Sequence, residues 1–428
     1  MKTRIKAEMW DKMQFLFRNY YDRMIHLAFY YDGVVDVDSF KKAVDDAFNQ
    51  VPILHSAFVN NFIRPYWVVK DYSIDEIVEV VDSRDCENEL LRFLTSVISV
   101  KSNVQMKIKI IRSERRTTIG LLVNHMCMDG GDAKKLLKTI VYNSNAYSLN
   151  EPRLPYRSGR RDYEQVYDSF DEPTRKKATR LYKNVSQVKS KVRFPLSKKS
   201  KYEQNQINFL RLPAETVSRF KTLGKENGAT LNDLFLTAYI WCLYKSRVPK
   251  NVPISIPCMV DLRRHIPERG ENGGYCNHTG FMITTVPYCG KNFDETLELV
   301  KKSTSENKND EFLGLYSLPL LRLGYALFPH FLSEIVIRLG YSNPLMGMSN
   351  VGELKSSDYT FVNTRLVDAF VTGATKYKPF MQLATTSCNG AVTMTVAIRG
   401  NDEDQRRVNE FLSDIETTVN KYITRLCR

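Results

Sequence analysis

Paired cysteines and clustered metal ligands are missing from this sequence. Its eight cysteines are scattered along 428 residues without a Cys-x-x-Cys pair or the spacing of a zinc site. Three motifs of nucleotide-binding proteins and serine hydrolases are also absent: the phosphate-binding loop, Gly-x-Gly-x-x-Gly and Gly-x-Ser-x-Gly. The charged N-terminal segment contains no apolar stretch typical of a signal peptide. We therefore expect a cytoplasmic protein with reduced thiols and no permanently bound metal or cofactor.

Long hydrophobic runs are scarce as well. The most apolar stretch, residues 318–339, is interrupted by four ionisable side chains and by Pro329, so we expect no transmembrane segment here. A pair of helices that covers the core or lines a cleft for an acyl chain fits this composition better. No zinc finger, RNA-recognition motif or helix-turn-helix signature is present, and nucleic acid is therefore not an expected partner.

Acidic residues are few in one segment of a basic chain. The formal net charge is +14, and residues 151–200 hold 14 lysines or arginines against 6 aspartates or glutamates. A solvated basic connector would account for this excess. A surface for an anionic partner, such as a phosphorylated cosubstrate or an acidic carrier protein, would also account for it.

Alternating helical and strand patterns predict a mixed α/β protein of two domains, because the chain is long for one core. We predict an N-terminal domain over residues 1–150, a basic connector over 151–205 with helix near 174–189, and a C-terminal domain over 206–428. In the N-terminal domain, helices are predicted at 8–17 and 86–97 and strands at 24–31, 104–111 and 117–123. In the C-terminal domain, helices are predicted at 213–226, 231–244, 294–305 and 404–423 and strands at 206–212, 252–260, 281–286, 347–352, 365–371, 381–388 and 391–399.

The most informative stretch is Asn124-His125-Met126-Cys127-Met128-Asp129-Gly130, which follows an apolar, β-branched strand and precedes a helical pattern. A histidine at the end of a buried strand lies at the rim of a cleft, where a general base takes a proton from a hydroxyl or amine. A structural histidine and a nucleophilic Cys127 are less favoured alternatives. A metal site at His125 and Asp129 is also less favoured, since the sequence offers no third ligand.

This stretch and three later segments resemble the superfamily of CoA-dependent acyltransferases. Its members include chloramphenicol acetyltransferase, the condensation domains of nonribosomal peptide synthesis, alcohol O-acetyltransferases and polyketide-associated acyltransferases. The family motif His-His-x-x-x-Asp-Gly corresponds to Asn124 through Gly130, with asparagine in place of the first histidine. The three later segments are Val260-Asp261-Leu262-Arg263, Gly274-Tyr275-Cys276-Asn277-His278-Thr279-Gly280 and Ser349-Asn350-Val351-Gly352.

The resemblance implies an architecture. The architecture is two related α/β sandwich domains, similar to chloramphenicol acetyltransferase, with mixed sheets and an active-site tunnel between them. The acyl donor would enter this tunnel from one side and the acceptor from the other. We expect a monomer.

The resemblance also implies roles for residues of the motif. His125 corresponds to the catalytic base of the family. Asp129 corresponds to an aspartate that forms a structural salt bridge, for which Arg263 is the candidate partner, although a carboxylate that orients the imidazole is an alternative. Gly130 and Gly131 would let the turn approach the pantetheine arm of the donor closely.

Polar side chains of other segments are candidate substrate-binding groups. Ser349 and Asn350 would donate hydrogen bonds to the oxyanion of the tetrahedral intermediate, which would make Asn350 a catalytic residue. Asn277 and Thr279 are weaker candidates for the same task. Asn124, in the position of the first family histidine, is also a candidate for substrate binding.

The implied activity is acyl transfer from a thioester to a small-molecule alcohol or amine. The donor would be acyl-CoA or an acidic acyl carrier protein that bears phosphopantetheine. A condensation-type enzyme that joins two carrier-bound substrates in nonribosomal peptide or polyketide biosynthesis would use the same chemistry. A non-catalytic docking module of the same fold is a further alternative, which the intact His125 disfavours.

Overall fold

The computed structural model describes residues 3–181, 192–246, 248–316, 318–340 and 343–426. Fifteen strands lie in these ranges: β1 (Arg4–Lys6), β2 (Met24–Asp32), β3 (Ser56–Val59), β4 (Tyr66–Val69), β5 (Val78–Asp82), β6 (Met106–Ser113), β7 (Arg116–Asn124), β8 (Gln204–Leu212), β9 (Ile254–Asp261), β10 (Thr279–Val286), β11 (Met346–Leu354), β12 (Arg365–Thr372), β13 (Lys376–Tyr377), β14 (Met381–Cys388) and β15 (Ala391–Gly400).

Thirteen α-helices lie in the same ranges. They are α1 (Met9–Leu16), α2 (Val37–Gln50), α3 (Ile74–Ile77), α4 (Cys86–Leu94), α5 (Gly130–Leu149), α6 (Glu172–Ala178), α7 (Ala214–Glu226), α8 (Leu231–Lys245), α9 (Phe293–Lys308), α10 (Leu318–Leu327), α11 (His330–Gly340), α12 (Ser356–Tyr359) and α13 (Asp402–Leu426). No helix within the described ranges is both long and apolar enough to cross a membrane.

The first large sheet has the strand order β12-β2-β7-β6-β5. Its central strand β7 is buried along nearly its whole length, which explains the continuous apolar run in the sequence. Helices α2 and α5 pack against each other beside this sheet, and α4 packs against β6 and β7. The edge strand β12 comes from far along the chain and pairs antiparallel with β2. This sheet therefore combines four strands from the first third of the chain with one strand from its last third.

The second large sheet has the order β10-β9-β11-β14-β15-β13, and β8 also pairs with β15. Strand β11 runs parallel to β9 and β14, whereas β9–β10 and β14–β15 are antiparallel pairs. Helix α8 is buried on almost all sides and packs against α7, α9 and α13, as a helix apolar around its circumference must. A third, smaller sheet has the order β1-β4-β3.

The mixed α/β fold with mixed sheets, expected from the sequence, is confirmed. The apolar stretch at 318–339 forms the helix pair α10 and α11. The helix predicted at 174–189 is the short α6, which ends at Ala178; residues 182–189 lie outside the described ranges. The pair α3 and β5 was not predicted, because residues 74–82 fit neither a clear helical nor a clear strand period.

Candidate active site

A cavity of about 630 Å³ lies between the turn that leaves the first large sheet and strands of the second large sheet. The turn after β7 and the start of α5 form one wall, and β9, β10 and β11 form another. Apolar side chains of α1, α10 and α11 line a further part, among them Met13, Leu321 and Ile337. The cavity thus combines polar groups with an apolar region formed partly by the helix pair, which is typical of small-molecule pockets.

His125 lies in the wall of this cavity, directly after the last residue of β7. Its backbone N–H donates to the carbonyl of Arg23 at 2.8 Å, which anchors the turn to the segment before β2. The side chain is half-buried. Burial lowers the pKa of His125 below its ordinary value near 6.5, and the hydrogen bond to Asn277 partly opposes this effect. The imidazole is therefore neutral at pH 7 and able to accept a proton.

Asn277 sets the tautomer of this imidazole. Its Nδ2 donates to the backbone carbonyl of His125 at 2.8 Å, so its Oδ1 is the atom that lies 2.9 Å from His125 Nδ1. Since an amide oxygen only accepts, Nδ1 must carry the hydrogen. The other ring nitrogen, Nε2, then has the free lone pair, and it has no hydrogen-bond partner among the described residues. This is the tautomer that a general base at the cavity wall needs.

Asp129 is buried and caps the N-terminus of α5 through a 2.9 Å hydrogen bond from the backbone of Asp132. Both carboxylate oxygens lie 3.0 Å from the guanidinium of Arg263, which is the pair named from the sequence. The backbone N–H of His278 and the hydroxyl of Thr279 also donate to Asp129, at 2.7 and 3.2 Å. These contacts occupy the carboxylate with the loop rather than with His125, as a structural salt bridge requires.

These contacts keep the carboxyl group of Asp129 ionised. Burial by itself would raise the pKa of its carboxyl, but the Arg263 guanidinium and the hydrogen bonds outweigh burial and lower that pKa. Arg263 also lies 3.0 Å from Asp132 and 3.0 Å from Asp261. One buried guanidinium thus joins the start of α5 to the end of β9.

Two arginines of the basic segment reach into the same region. Arg157 lies 3.1 Å from the buried Asp132, and Arg161 lies 3.3 Å from the buried Asp11. Arg161 also donates to the carbonyl of Cys127 at 3.0 Å, just before the motif aspartate. These two charges are neutralised inside the protein and do not belong to a free basic surface. Sequence patterns alone did not indicate these contacts.

Gly130 and Gly131 both line the cavity but differ in what surrounds them. A methyl group built on Gly130 would meet nothing within 4 Å. The same group on Gly131 would lie 3.1 Å from Nη1 of Arg263 and 3.2 Å from Oδ1 of Asp129. Gly130 therefore leaves space open toward the cavity, whereas Gly131 makes room for the buried ion pair.

Ser349 and Asn350 on β11 line the cavity, as does Thr279 at the start of β10. The Asn350 side chain is exposed, with Nδ2 donating to Asn232 at 3.1 Å and Oδ1 accepting from Gly352 at 2.9 Å. Because an amide nitrogen carries two hydrogens, Asn350 keeps one donor for a substrate. The structure thus brings these residues into the same cavity as His125.

Asn124 and Cys127 lie outside the cavity wall. Asn124 is fully buried; its Nδ2 donates to Gln105 at 2.7 Å and its Oδ1 accepts from the backbone of Met126 at 3.1 Å. The structure therefore places it beneath the turn and not with the substrate-binding groups, because both polar ends of its side chain are satisfied there. Cys127 is also fully buried, and burial raises the pKa of its thiol far above the ordinary value, which disfavours a nucleophilic thiolate.

Lys376 is a cavity residue that sequence reasoning missed. It begins the two-residue strand β13, and its Nζ lies 3.9 Å from the centre of the Tyr21 ring. No pattern in the sequence could have placed it, because β13 is short and its neighbours in space are distant in the chain. Among the described residues, no group of His, Cys, Asp and Glu side chains could hold a metal ion.

Comparisons with known proteins identify a family and a shared fold. The model of the family described as "Condensation domain" matches residues 13–319. Polyketide synthase associated protein 5 from Mycobacterium tuberculosis is similar in structure, with 15% identity, 95% of each chain covered and a TM-score of 0.68. The TRI3 trichothecene 15-O-acetyltransferase from Fusarium sporotrichioides has 11% identity over 97% of this chain and 94% of its own, with a TM-score of 0.70.

A third similar structure is the first condensation domain of the CDA synthetase, with 12% identity over 97% of this chain and 96% of its own and a TM-score of 0.70. No curated protein matches the sequence. At these identities the similarity of structure concerns the fold, and the two-lobed architecture expected from the sequence is shared with these proteins.

Proposed function

The chain belongs to the condensation-domain family, and from this premise we propose that it transfers an acyl group from a thioester to a hydroxyl or amine, with His125 as general base. The observation that carries the proposal is the 2.9 Å contact between His125 Nδ1 and Asn277 Oδ1. It leaves a basic Nε2 on a neutral imidazole in the wall of a mixed polar and apolar cavity.

The reaction needs two proton movements that one imidazole can perform. Nε2 takes the proton from the acceptor while the acceptor oxygen or nitrogen attacks the thioester carbon. The tetrahedral intermediate then collapses as the carbon–sulfur bond breaks, and the imidazolium returns the proton to the departing thiolate. The products are an ester or amide and a free thiol, and His125 ends in its starting state.

The negative oxygen of the tetrahedral intermediate needs hydrogen-bond donors in the same cavity. The free N–H of Asn350 and the hydroxyl of Ser349 are our candidates, since both residues line the cavity with His125. One such donor is typically worth about 3 kcal/mol of barrier. Thr279 is less suited, because its hydroxyl already lies 3.2 Å from Asp129.

The donor in this proposal is acyl-CoA or an acyl group on a phosphopantetheinyl carrier protein. Both present the same thiol arm, for which the open space beside Gly130 offers a path. The similarity to an acetyltransferase supports transfer to a small alcohol. The family match and the similarity to a condensation domain favour a second candidate function, the joining of two carrier-bound substrates.

The experiment that tests the proposal follows release of free thiol from a panel of acyl-CoAs, acetyl to decanoyl, with and without alcohols and amines. Product formation is checked by mass spectrometry, and an acylated carrier protein is run in parallel. We expect thiol release that depends on an acceptor and matches ester or amide formed. A chain that binds thioesters but never releases thiol with any acceptor would instead be a docking module.

A further inference from the structure

Lys376 places a positive charge in the cavity without an anionic partner. Its Nζ lies 3.9 Å from the centre of the Tyr21 ring, while no carboxylate within the described ranges lies within 4.0 Å of it and no hydrogen bond from it is found there. The other two cationic side chains that line the cavity already have hydrogen-bond or ion-pair partners. Lys134 donates to the carbonyl of Val351, and Arg263 binds Asp129.

The position of Lys376 relative to the base is fixed by the backbone. The backbone N–H of Tyr377 donates to the carbonyl of Tyr20 at 2.9 Å, and the backbone N–H of Thr375 donates to the carboxylate of Asp22 at 3.0 Å. The next residue of that segment, Arg23, accepts the backbone hydrogen bond of His125. Both side chains line the same cavity, and the charge of Lys376 adds a smaller contribution to the lowering of the His125 pKa that burial mainly causes. Lys376 and His125 are therefore held by one short segment and face one cavity.

An ammonium held in this way is not in its most stable environment. Removing a charge from water is costly unless a counter-charge or hydrogen bonds replace the lost solvation. Burial lowers the pKa of Lys376 to about 8, and Asp22 opposes this only at a distance. Oδ1 of Asp22 accepts from the backbone N–H groups of Met24 and Thr375, both at 3.0 Å. Its buried Oδ2 has no hydrogen-bond partner among the described residues, so this carboxylate forms neither an ion pair nor a hydrogen bond with the Lys376 ammonium. The Tyr21 ring stabilises the cation in part, but it is not an acceptor for its three N–H groups.

We propose that the Lys376 ammonium binds a carboxylate of the substrate, so that this site prefers a substrate with an anionic group in addition to its reacting group. This inference deepens the proposed function and rests on it for the identity of the reacting group. The carboxylate would belong to a hydroxy or amino acid that accepts the acyl group, or to a dicarboxylic acyl thioester. Either source supplies the counter-charge that Lys376 lacks.

A binding measurement tests the inference without turnover. Isothermal titration calorimetry compares 4-phenylbutyrate with the neutral 4-phenylbutyramide on the wild type, Lys376→Met and Lys376→Arg. Lys245→Met is the matched control, because Lys245 lies 5.4 Å from the Trp241 ring outside the cavity. We expect the wild type, Lys376→Arg and the control to bind the carboxylate at least about tenfold more tightly than the amide. Lys376→Met should bind both alike.

Two results would overturn the inference. One is a wild type that binds the carboxylate no better than the amide, or binds neither. The other is a Lys376→Met protein that keeps the preference or weakens both ligands equally. The wild-type ratio needs no variant, so a misfolded Lys376→Met protein does not remove the test.

Turnover then identifies the source of the carboxylate. The acceptor arm compares 6-hydroxyhexanoate with its methyl ester, using acetyl-CoA as donor. The donor arm compares succinyl-CoA with butyryl-CoA, using 1-hexanol as acceptor. A preference of at least about tenfold for the acid in either arm, lost in Lys376→Met, supports the inference. Equal transfer to acids and neutral analogues overturns it while leaving the proposed function intact; absence of transfer in both arms counts against the proposed function instead.

Discussion

Asn277 Oδ1 lies 2.9 Å from His125 Nδ1, while the amide nitrogen of the same Asn277 side chain holds the backbone carbonyl of His125 at 2.8 Å. This double contact fixes both the rotation of the amide and the proton on the imidazole. We therefore predict that Asn277 acts as a positioning residue for the proposed base.

Replacement of Asn277 by alanine should lower kcat by about 10- to 100-fold, a part of what general base catalysis contributes. The reason is that Nδ1 and Nε2 would then compete for the single proton of the neutral ring. KM should change little, because the substrate contacts remain. Steady-state kinetics with a validated donor and acceptor would measure both values; a rise in KM at unchanged kcat would contradict a positioning role.

The pH dependence of the reaction follows from the state of His125. Because burial lowers the pKa of His125, wild-type activity should fall only as the pH drops below about 6.5. In Asn277→Asp a carboxylate replaces the amide and favours the imidazolium, so the acid limb of kcat/KM should move upward by about one pH unit or more. pH–rate profiles of both proteins measure the direction of this shift. An acid limb that stays in place or moves to lower pH in Asn277→Asp would contradict the prediction.

Asp129→Ala should destabilise the protein by about 3–5 kcal/mol, since it leaves the buried Arg263 guanidinium short of a partner. Chemical denaturation measures this free energy of unfolding. Arg219→Ala is the control, because it removes an exposed pair with Glu215 and should cost at most about 1 kcal/mol. A similar loss of unfolding free energy in both variants would mean that the Asp129–Arg263 pair stabilises the fold no more than an exposed ion pair does.

The stabilising effect of Asp129 should also depend on pH. Its folded-state pKa lies below the unfolded value of about 3.9, so its contribution is present above that pH and decreases as the pH falls through and below it. The difference in unfolding free energy between the wild type and Asp129→Asn should therefore shrink as the pH is lowered from about 5 toward 3. Denaturation curves at several pH values measure this difference in unfolding free energy. A difference that stays constant or grows as the pH is lowered would contradict the prediction.

Gly130 and Gly131 offer a matched pair of alanine substitutions. Gly131→Ala places a methyl group 3.1 Å from Nη1 of Arg263 and should cost about 1–3 kcal/mol of stability. Gly130→Ala meets nothing within 4 Å and should fold as well as the wild type. If the thioester arm passes beside Gly130, that variant should still raise KM for the donor severalfold. Thermal melts and donor titrations of the two variants separate these effects.

Local features of the site could be predicted from the sequence because they are encoded within one stretch of chain. Strand β7, the following turn and the cap of α5 are contiguous, so the position of His125 at the end of a strand follows from the pattern of residues 117–141. The pair of Asp129 and Arg263 came from a family resemblance, not from spacing. The helix pair at 318–339 was indicated by composition.

Contacts between distant segments could not be predicted in this way. Asn277 lies 152 residues from His125, and only the tertiary structure shows that its amide contacts the imidazole. Asn124 was expected to face the substrate, but its side chain turns inward to Gln105, since a buried amide must find partners. Lys376 reaches the cavity through a two-residue strand that carries no recognisable sequence pattern.

The most direct test of His125 as the general base is the rate of acyl transfer by His125→Ala under conditions where the wild type is active. His55→Ala is the control, because His55 binds the carbonyl of Lys70 at 2.6 Å and does not line the cavity. We predict that His125→Ala folds normally and loses about 10²- to 10⁴-fold in kcat, while the control keeps its activity. A folded His125→Ala protein with turnover close to that of the wild type would contradict the assignment of the base.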